Sequence, residues 1–173
     1  MTMVNLFVKA ASVAALALPL CPAAASAAEH GATTVHGPSY VYDTAYSAAR
    51  TTVSVRSLHG WTIVALKVAG LPAAAAGKTF GAHVHVNPCG ADPAAAGEHY
   101  HSPDAPAGVP HRFAEIWLDV TVGRGGTGRS VAAVPWTIKP GAAGSVVVHA
   151  KPTDPDTGDA GARLLCTTVP FGS

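Results

Sequence analysis

The stretch Lys78-Thr79-Phe80-Gly81-Ala82-His83-Val84-His85-Val86 decides how this chain is read. It has the pattern of a β-strand, in which residues i and i+2 project from one face. His83 and His85 therefore leave the same face of a sheet, spaced to grip one metal ion. A third imidazole follows in Gly97-Glu98-His99-Tyr100, and a fourth ends the apolar run Val146-Val147-Val148-His149. Imidazole suits copper, and four such ligands in a tetragonal arrangement favour Cu(II). A His-x-His pair alone is shared with other metal folds. Cupin-type sites add a glutamate a few residues later, where this chain has Cys89 and Gly90. Barrel metallohydrolases need roughly 250 residues, more than are present.

The first 28 residues read as a leader. Lys9 is the only charge ahead of a small apolar run, Ala10 to Leu20, and Ala25-Ser26-Ala27 offers a small-residue cleavage signal. This describes a secretory signal peptide cut near Ala27 or Ala28, and so a protein that is secreted, periplasmic or held in the cell envelope. The run is too short to span a membrane. Cys21 follows Leu20, where a lipoprotein signal wants a small residue, so Cys21 is expected to leave with the leader. Cleavage after Ala27 would expose Ala28-Glu29-His30, whose amine, amides and imidazole make a square-planar nitrogen site favouring Cu(II); cleavage one residue later would not.

About 145 residues remain, enough for one domain. Ten Lys/Arg then face ten Asp/Glu, and no basic run points to nucleic acid. No second long apolar segment points to a transmembrane span. Cys89 and Cys166 are the two cysteines left after cleavage, and a pair in an exported protein predicts a disulfide.

Residues 29–48 read as a tail and entry to the fold, with 29–38 loose, ahead of a β domain over 49–173. Strand patterns fall at Ala49–Arg56, Trp61–Val68, the His-x-His stretch, Glu115–Val122, Ser130–Ala133, Gly144–His149 and Ala162–Val169, with a short piece over Val134–Ile138. A long loop runs from about Asn87 to His111. Seven or eight short strands with Gly/Pro turns and no helical period predict an all-β sandwich or barrel.

Five segments in order, Gly81-Ala82-His83-Val84-His85, Cys89, Ala96-Gly97-Glu98-His99-Tyr100-His101-Ser102-Pro103, Val147-Val148-His149 and Gly161-Ala162-Arg163-Leu164-Leu165-Cys166, resemble the copper/zinc superoxide dismutases over about Val53 to Phe171. The resemblance implies an eight-stranded antiparallel Greek-key β-barrel with a Cys89–Cys166 disulfide. It implies copper bound by His83, His85, His99 and His149, with Arg163 orienting superoxide. The implied reaction converts superoxide to oxygen and hydrogen peroxide by a copper redox cycle in which His99 carries a proton. A fixed guanidinium beside the metal suits a small anionic substrate.

The zinc half of the family pattern is broken. The candidates are His99, His101, His111 and either Asp104 or Glu115; His101 is too close to His99, and the segment from His99 to Glu115 is short. The loop from His149 to Arg163 is short as well. Two short loops suggest a copper-only member, with His99, His111 and Glu115 as the residual zinc set. Without zinc, His99 needs another acceptor for its second N–H. Glu115 is either that acceptor or a solvated strand-edge carboxylate, and His111 reads as a loop residue. His36 and His59 read as surface residues. The rival function is a copper-binding or copper-buffering protein with little turnover, although a carrier has no use for Arg163. A metal-free adhesion module would require four accidental histidines. Oligomeric state is not written in the sequence.

Overall fold

The computed structural model describes Met1 and residues 32–172. The rest of the segment read as a leader, its expected cleavage site and His30 lie outside the described residues. Among those described, the chain is all β, with antiparallel strands and short 3-10 turns but no α-helix.

Strands β1 (Thr33–Gly37), β3 (Arg50–Leu58), β4 (Trp61–Ala69) and β8 (Gly128–Val134) form one four-stranded sheet in the order β1-β3-β4-β8. Strands β2 (Tyr40–Val41), β10 (Arg163–Thr168), β9 (Ser145–His149) and β6 (Ala82–His85) form a second, in the order β2-β10-β9-β6. A two-stranded ribbon joins β5 (Thr79–Phe80) to β7 (Val120–Thr121).

Alternation explains the first sheet. In β3 and β4, Val53, Val55, Val64, Leu66 and Val68 point inward while Thr52, Ser54 and Lys67 point away. Burying each such side chain contributes about 1.5–3 kcal/mol before entropy is counted. The β3–β4 hairpin turns through His59 and Gly60, both with positive φ (49° and 83°), the backbone that matches the twist of the flanking strands. His59 and His36 are exposed.

Apart from its exposed edge β2, the second sheet is buried on both faces. Ala82, Val84, Val146, Val148 and Leu165 join the main core with residues of the first sheet. On the other face, Val147 and Cys166 pack with Ala96, Tyr42 and Cys89 beneath the loop that follows β6. The Cys89–Cys166 disulfide pins that loop to β10, and the Cys89 N–H donates to Thr168 Oγ1. A disulfide fits a non-cytoplasmic protein. Among the described residues no helix is long and apolar enough to cross a membrane.

Four expectations change. Residues 33–37, read within a loose tail, form β1 in register with β3, Val35 opposite Val53; polar Thr33, Thr34 and His36 suit an edge strand and hide the pattern. The stretch 78–86 breaks at Gly81, where a Cβ would lie 2.6 Å from Ala160 Cβ and 2.7 Å from Thr153 Oγ1. In Glu115–Val122 only Val120–Thr121 is ladder, and beyond Val134 the chain bends instead of continuing as a strand through Ile138.

The free edge of β6 is sealed by two returning segments. His85 bridges to His99 and His83 to Trp117. The Tyr100 N–H donates to Val84 O (2.8 Å) and the Leu118 N–H to Ala82 O (2.6 Å). These pairings bring His99 and Glu115 to the face that carries His83 and His85.

Candidate metal centre

His83, His85, His99 and His149 converge, with one ring nitrogen from each lying within 4.8 Å of the others. Register explains three of them. His83 pairs with Val147 and His85 with Ser145, so residues 145, 147 and 149 share the face of the His-x-His pair. His149 therefore arrives beside it, and opposite Arg163 on β10. The β6 edge pairing supplies His99.

Each ring is held from behind. His85 Nδ1–H donates to Gly97 O and His149 Nδ1–H to Gly161 O, both at 3.0 Å. His99 Nδ1–H donates to Glu115 Oε2 at 2.8 Å, and His83 Nε2 meets Thr153 Oγ1 at 2.8 Å. Carbonyls and carboxylates only accept, so the neutral rings of His85, His99 and His149 carry their proton on Nδ1 and turn an Nε2 lone pair to the centre. The Nε2 atoms of His85 and His149 lie 3.3 Å apart. His83 Nδ1 is buried without a hydrogen-bond partner, as expected of an atom meant for a metal.

Electrostatics agree. Burial, reinforced by the neighbouring imidazoles, lowers the pKa of His83 to about 2 and of His85 to about 3, the latter against a backbone hydrogen bond that raises it. Burial likewise brings His149 to about 4, against the Gly161 carbonyl. Neutral imidazole is the form that binds metal. This buried cluster could hold a metal ion; imidazole alone does not select among copper, zinc, nickel and iron.

Behind His99 lies a second group, His101, His111 and Glu115, also with ligand atoms within 4.8 Å of one another. Glu115 is 3% exposed, so it is not a solvated edge carboxylate. Its Oε2 accepts from His99 Nδ1 and from Trp117 Nε1 (2.7 Å). Its Oε1 accepts from His101 Nε2 (2.6 Å) and His111 Nδ1 (2.8 Å). Burial would raise this carboxyl, but hydrogen bonds from His99, Trp117 and His111 outweigh it and hold the pKa near 2. Placing His101 outside the group because it follows His99 too closely is thus corrected. The β6 edge pairing ends near Tyr100, and the chain beyond is free to turn His101 toward Glu115. His111 likewise belongs to the group. Asp104 is not in it.

Arg163 closes one side. Its Nη1 donates to Pro93 O and its Nη2 to Gly97 O, both at 2.6 Å. Gly97 O thus receives both Arg163 and His85. A cleft of about 380 Å³ opens over the cluster, lined by His99, His149 and Arg163 and also by Glu98 and Asp159. Sequence reasoning missed Thr153, Asp119 and Trp117, whose roles arise from long-range packing. Neither models of protein families nor characterised proteins give a match to this chain, so the geometry of the site carries the functional reading.

Proposed function

We propose that this chain is an exported, copper-dependent superoxide dismutase of the Greek-key β-barrel class, released by cleavage near Ala27 or Ala28. The observation that carries the reading is the convergence of four imidazoles, each held from behind, with a tethered guanidinium on the same cleft. Bound copper supplies the one-electron couple that both halves of the reaction need, in which two superoxide ions and two protons yield oxygen and hydrogen peroxide. His83, His85 and His149 form the fixed part of the grip on the sheet. Arg163 attracts the anion and holds it beside the cluster, worth most where water is scarce. His99, 20% exposed, has its Nδ1–H committed to Glu115, so Nε2 is its atom for exchanging a proton with the product. The Glu115 carboxylate already accepts four N–H groups, which favours a hub that orients His99 over a zinc site.

A second reading, a copper-holding protein with little turnover, is favoured by Glu98 and Asp159, carboxylates that line the cleft beside Arg163 and oppose an incoming anion. Pulse radiolysis of the protein loaded with copper alone separates the two. Superoxide decay at about 10⁸–10⁹ M⁻¹s⁻¹ is expected for the enzyme. Slow decay with copper firmly bound, unchanged by added zinc, would leave the holding role.

A further inference from the structure

Three of the four imidazoles have their tautomer fixed by an atom that can only accept. His85 and His149 donate to backbone carbonyls, and His99 donates to a carboxylate. His83 differs. It is the ligand that turns Nδ1 toward the centre, and its Nε2 faces a hydroxyl, Thr153 Oγ1. A hydroxyl both donates and accepts. Were Thr153 to donate to Nε2, the ring proton would sit on Nδ1, pointing into the cluster where a lone pair is needed.

Asp119 removes the ambiguity. The Thr153 hydroxyl donates to Asp119 Oδ1 at 2.5 Å, and the Thr153 N–H donates to Asp119 Oδ2 at 2.9 Å. Both carboxylate oxygens are thus turned on one residue, and the hydroxyl proton has its place. What remains on Thr153 Oγ1 is lone pairs, which accept from His83 Nε2–H. The geometry points to Thr153 and Asp119 as a two-residue positioning relay that sets His83 in its Nε2–H tautomer and so frees Nδ1 for the metal.

Chain topology explains why two residues share the task. Thr153 lies in the segment between β9 and β10, which returns over Gly81; the Gly81 N–H donates to Lys151 O at 2.7 Å. A Cβ at Gly81 would come within 2.7 Å of Thr153 Oγ1. Glycine there lets the hydroxyl approach His83. Asp119, just before β7, anchors the segment from the other side. The site therefore takes this contact from a short loop, with the carboxylate one residue removed from the ring. Partners of this kind typically change metal affinity by about 10- to 100-fold when removed.

The relay rests on the metal reading of the cluster, but its first consequence is measurable without metal or turnover. In the ¹⁵N-labelled metal-free protein above pH 7, long-range proton–nitrogen correlations report the tautomer of each histidine. His83 is expected as Nε2–H. Thr153→Val should move His83 toward Nδ1–H or a mixture and lower Cu(II) affinity about 10- to 100-fold, with His85 and His149 keeping their tautomers as evidence of an intact fold. Asp119→Ala leaves the hydroxyl but removes its acceptor, and should act in the same direction. Thr153→Ser should restore both tautomer and affinity. A wild-type His83 found as Nδ1–H would overturn the relay, as would a Thr153→Val protein with unchanged tautomer and affinity or a failure of serine to restore them. Tight copper binding with the expected tautomers but no superoxide consumption would sustain the relay and refute the dismutase reading instead.

Discussion

Replacing Glu115 by Gln tests whether the hub behind His99 matters to the centre. The carboxylate accepts two N–H groups on each oxygen: His99 and Trp117 on Oε2, His101 and His111 on Oε1. An amide keeps one accepting oxygen and turns an NH₂ toward the other pair. It will face that oxygen to His99 and Trp117, because the His101 and His111 side chains are 51% and 42% exposed and can turn to water. Two hydrogen bonds near the surface are then lost, at a net 0.5–1.5 kcal/mol each, so Glu115→Gln should destabilise the metal-free protein by about 1–3 kcal/mol. For a domain of this size that lowers Tm by roughly 3–10 °C. The bond to His99 survives but loses its charge, and the difference between charged and neutral acceptors is about 1–1.5 kcal/mol. Copper affinity should fall roughly tenfold. Urea denaturation of the metal-free protein and competition titration with Cu(II) supply the two numbers. A variant within about 0.5 kcal/mol of wild type, the range of ordinary surface changes, and binding copper equally well would refute the account of Glu115.

Acid should destabilise the metal-free protein. His83, His85 and His149 have folded pKa values of about 2, 3 and 4, below the ordinary histidine value of 6.5. The unfolded chain therefore takes up protons first, and stability present above pH 6.5 is lost as pH falls toward those values. Each histidine contributes a slope of up to about 1.4 kcal/mol per pH unit. Glu115, lowered from 4.5 to about 2, adds a loss in the same direction below pH 4.5, and a flat urea midpoint between pH 7 and 3 would contradict both. Cys89→Ser opens the disulfide between residues 77 apart in sequence and should remove about 2–5 kcal/mol, read as a lower Tm than that of the oxidised wild type. Gly81→Ala inserts a methyl against Ala160 and Thr153. It should destabilise by about 1–3 kcal/mol and weaken copper binding, whereas unchanged affinity would show that the segment moves aside freely.

Much of this arrangement was legible in the sequence because it depends on short-range periodicity. Alternation in 50–58 and 61–69 is a local property of a half-buried strand, and His83-Val84-His85 places two ligands on one face by the same rule. The Cys89–Cys166 pairing follows from the two cysteines that remain once Cys21 is read as part of a leader. Other parts depend on where distant segments meet. β1 is short and polar, so its pairing with β3 leaves little trace in composition. His101 looks misplaced against the family's zinc-ligand spacing, because nothing local shows the chain turning it toward Glu115. Thr153 and Asp119 lie 34 residues apart, and neither carries a signal until Gly81 admits the loop between β9 and β10.

The sealing of β6 by residues 98–100 and 116–118 also bears on self-association. An open strand edge presents unpaired N–H and C=O groups that other chains can extend. Here the caps over that edge are the segments carrying His99 and Glu115. Any change that loosens them to relieve the centre also uncovers a short strand edge, Ala82 to His85. Selection for a well-ordered centre is therefore selection against fibre-like stacking as well. Variants weakened at the centre should be sought among those that precipitate, before they are scored as merely inactive.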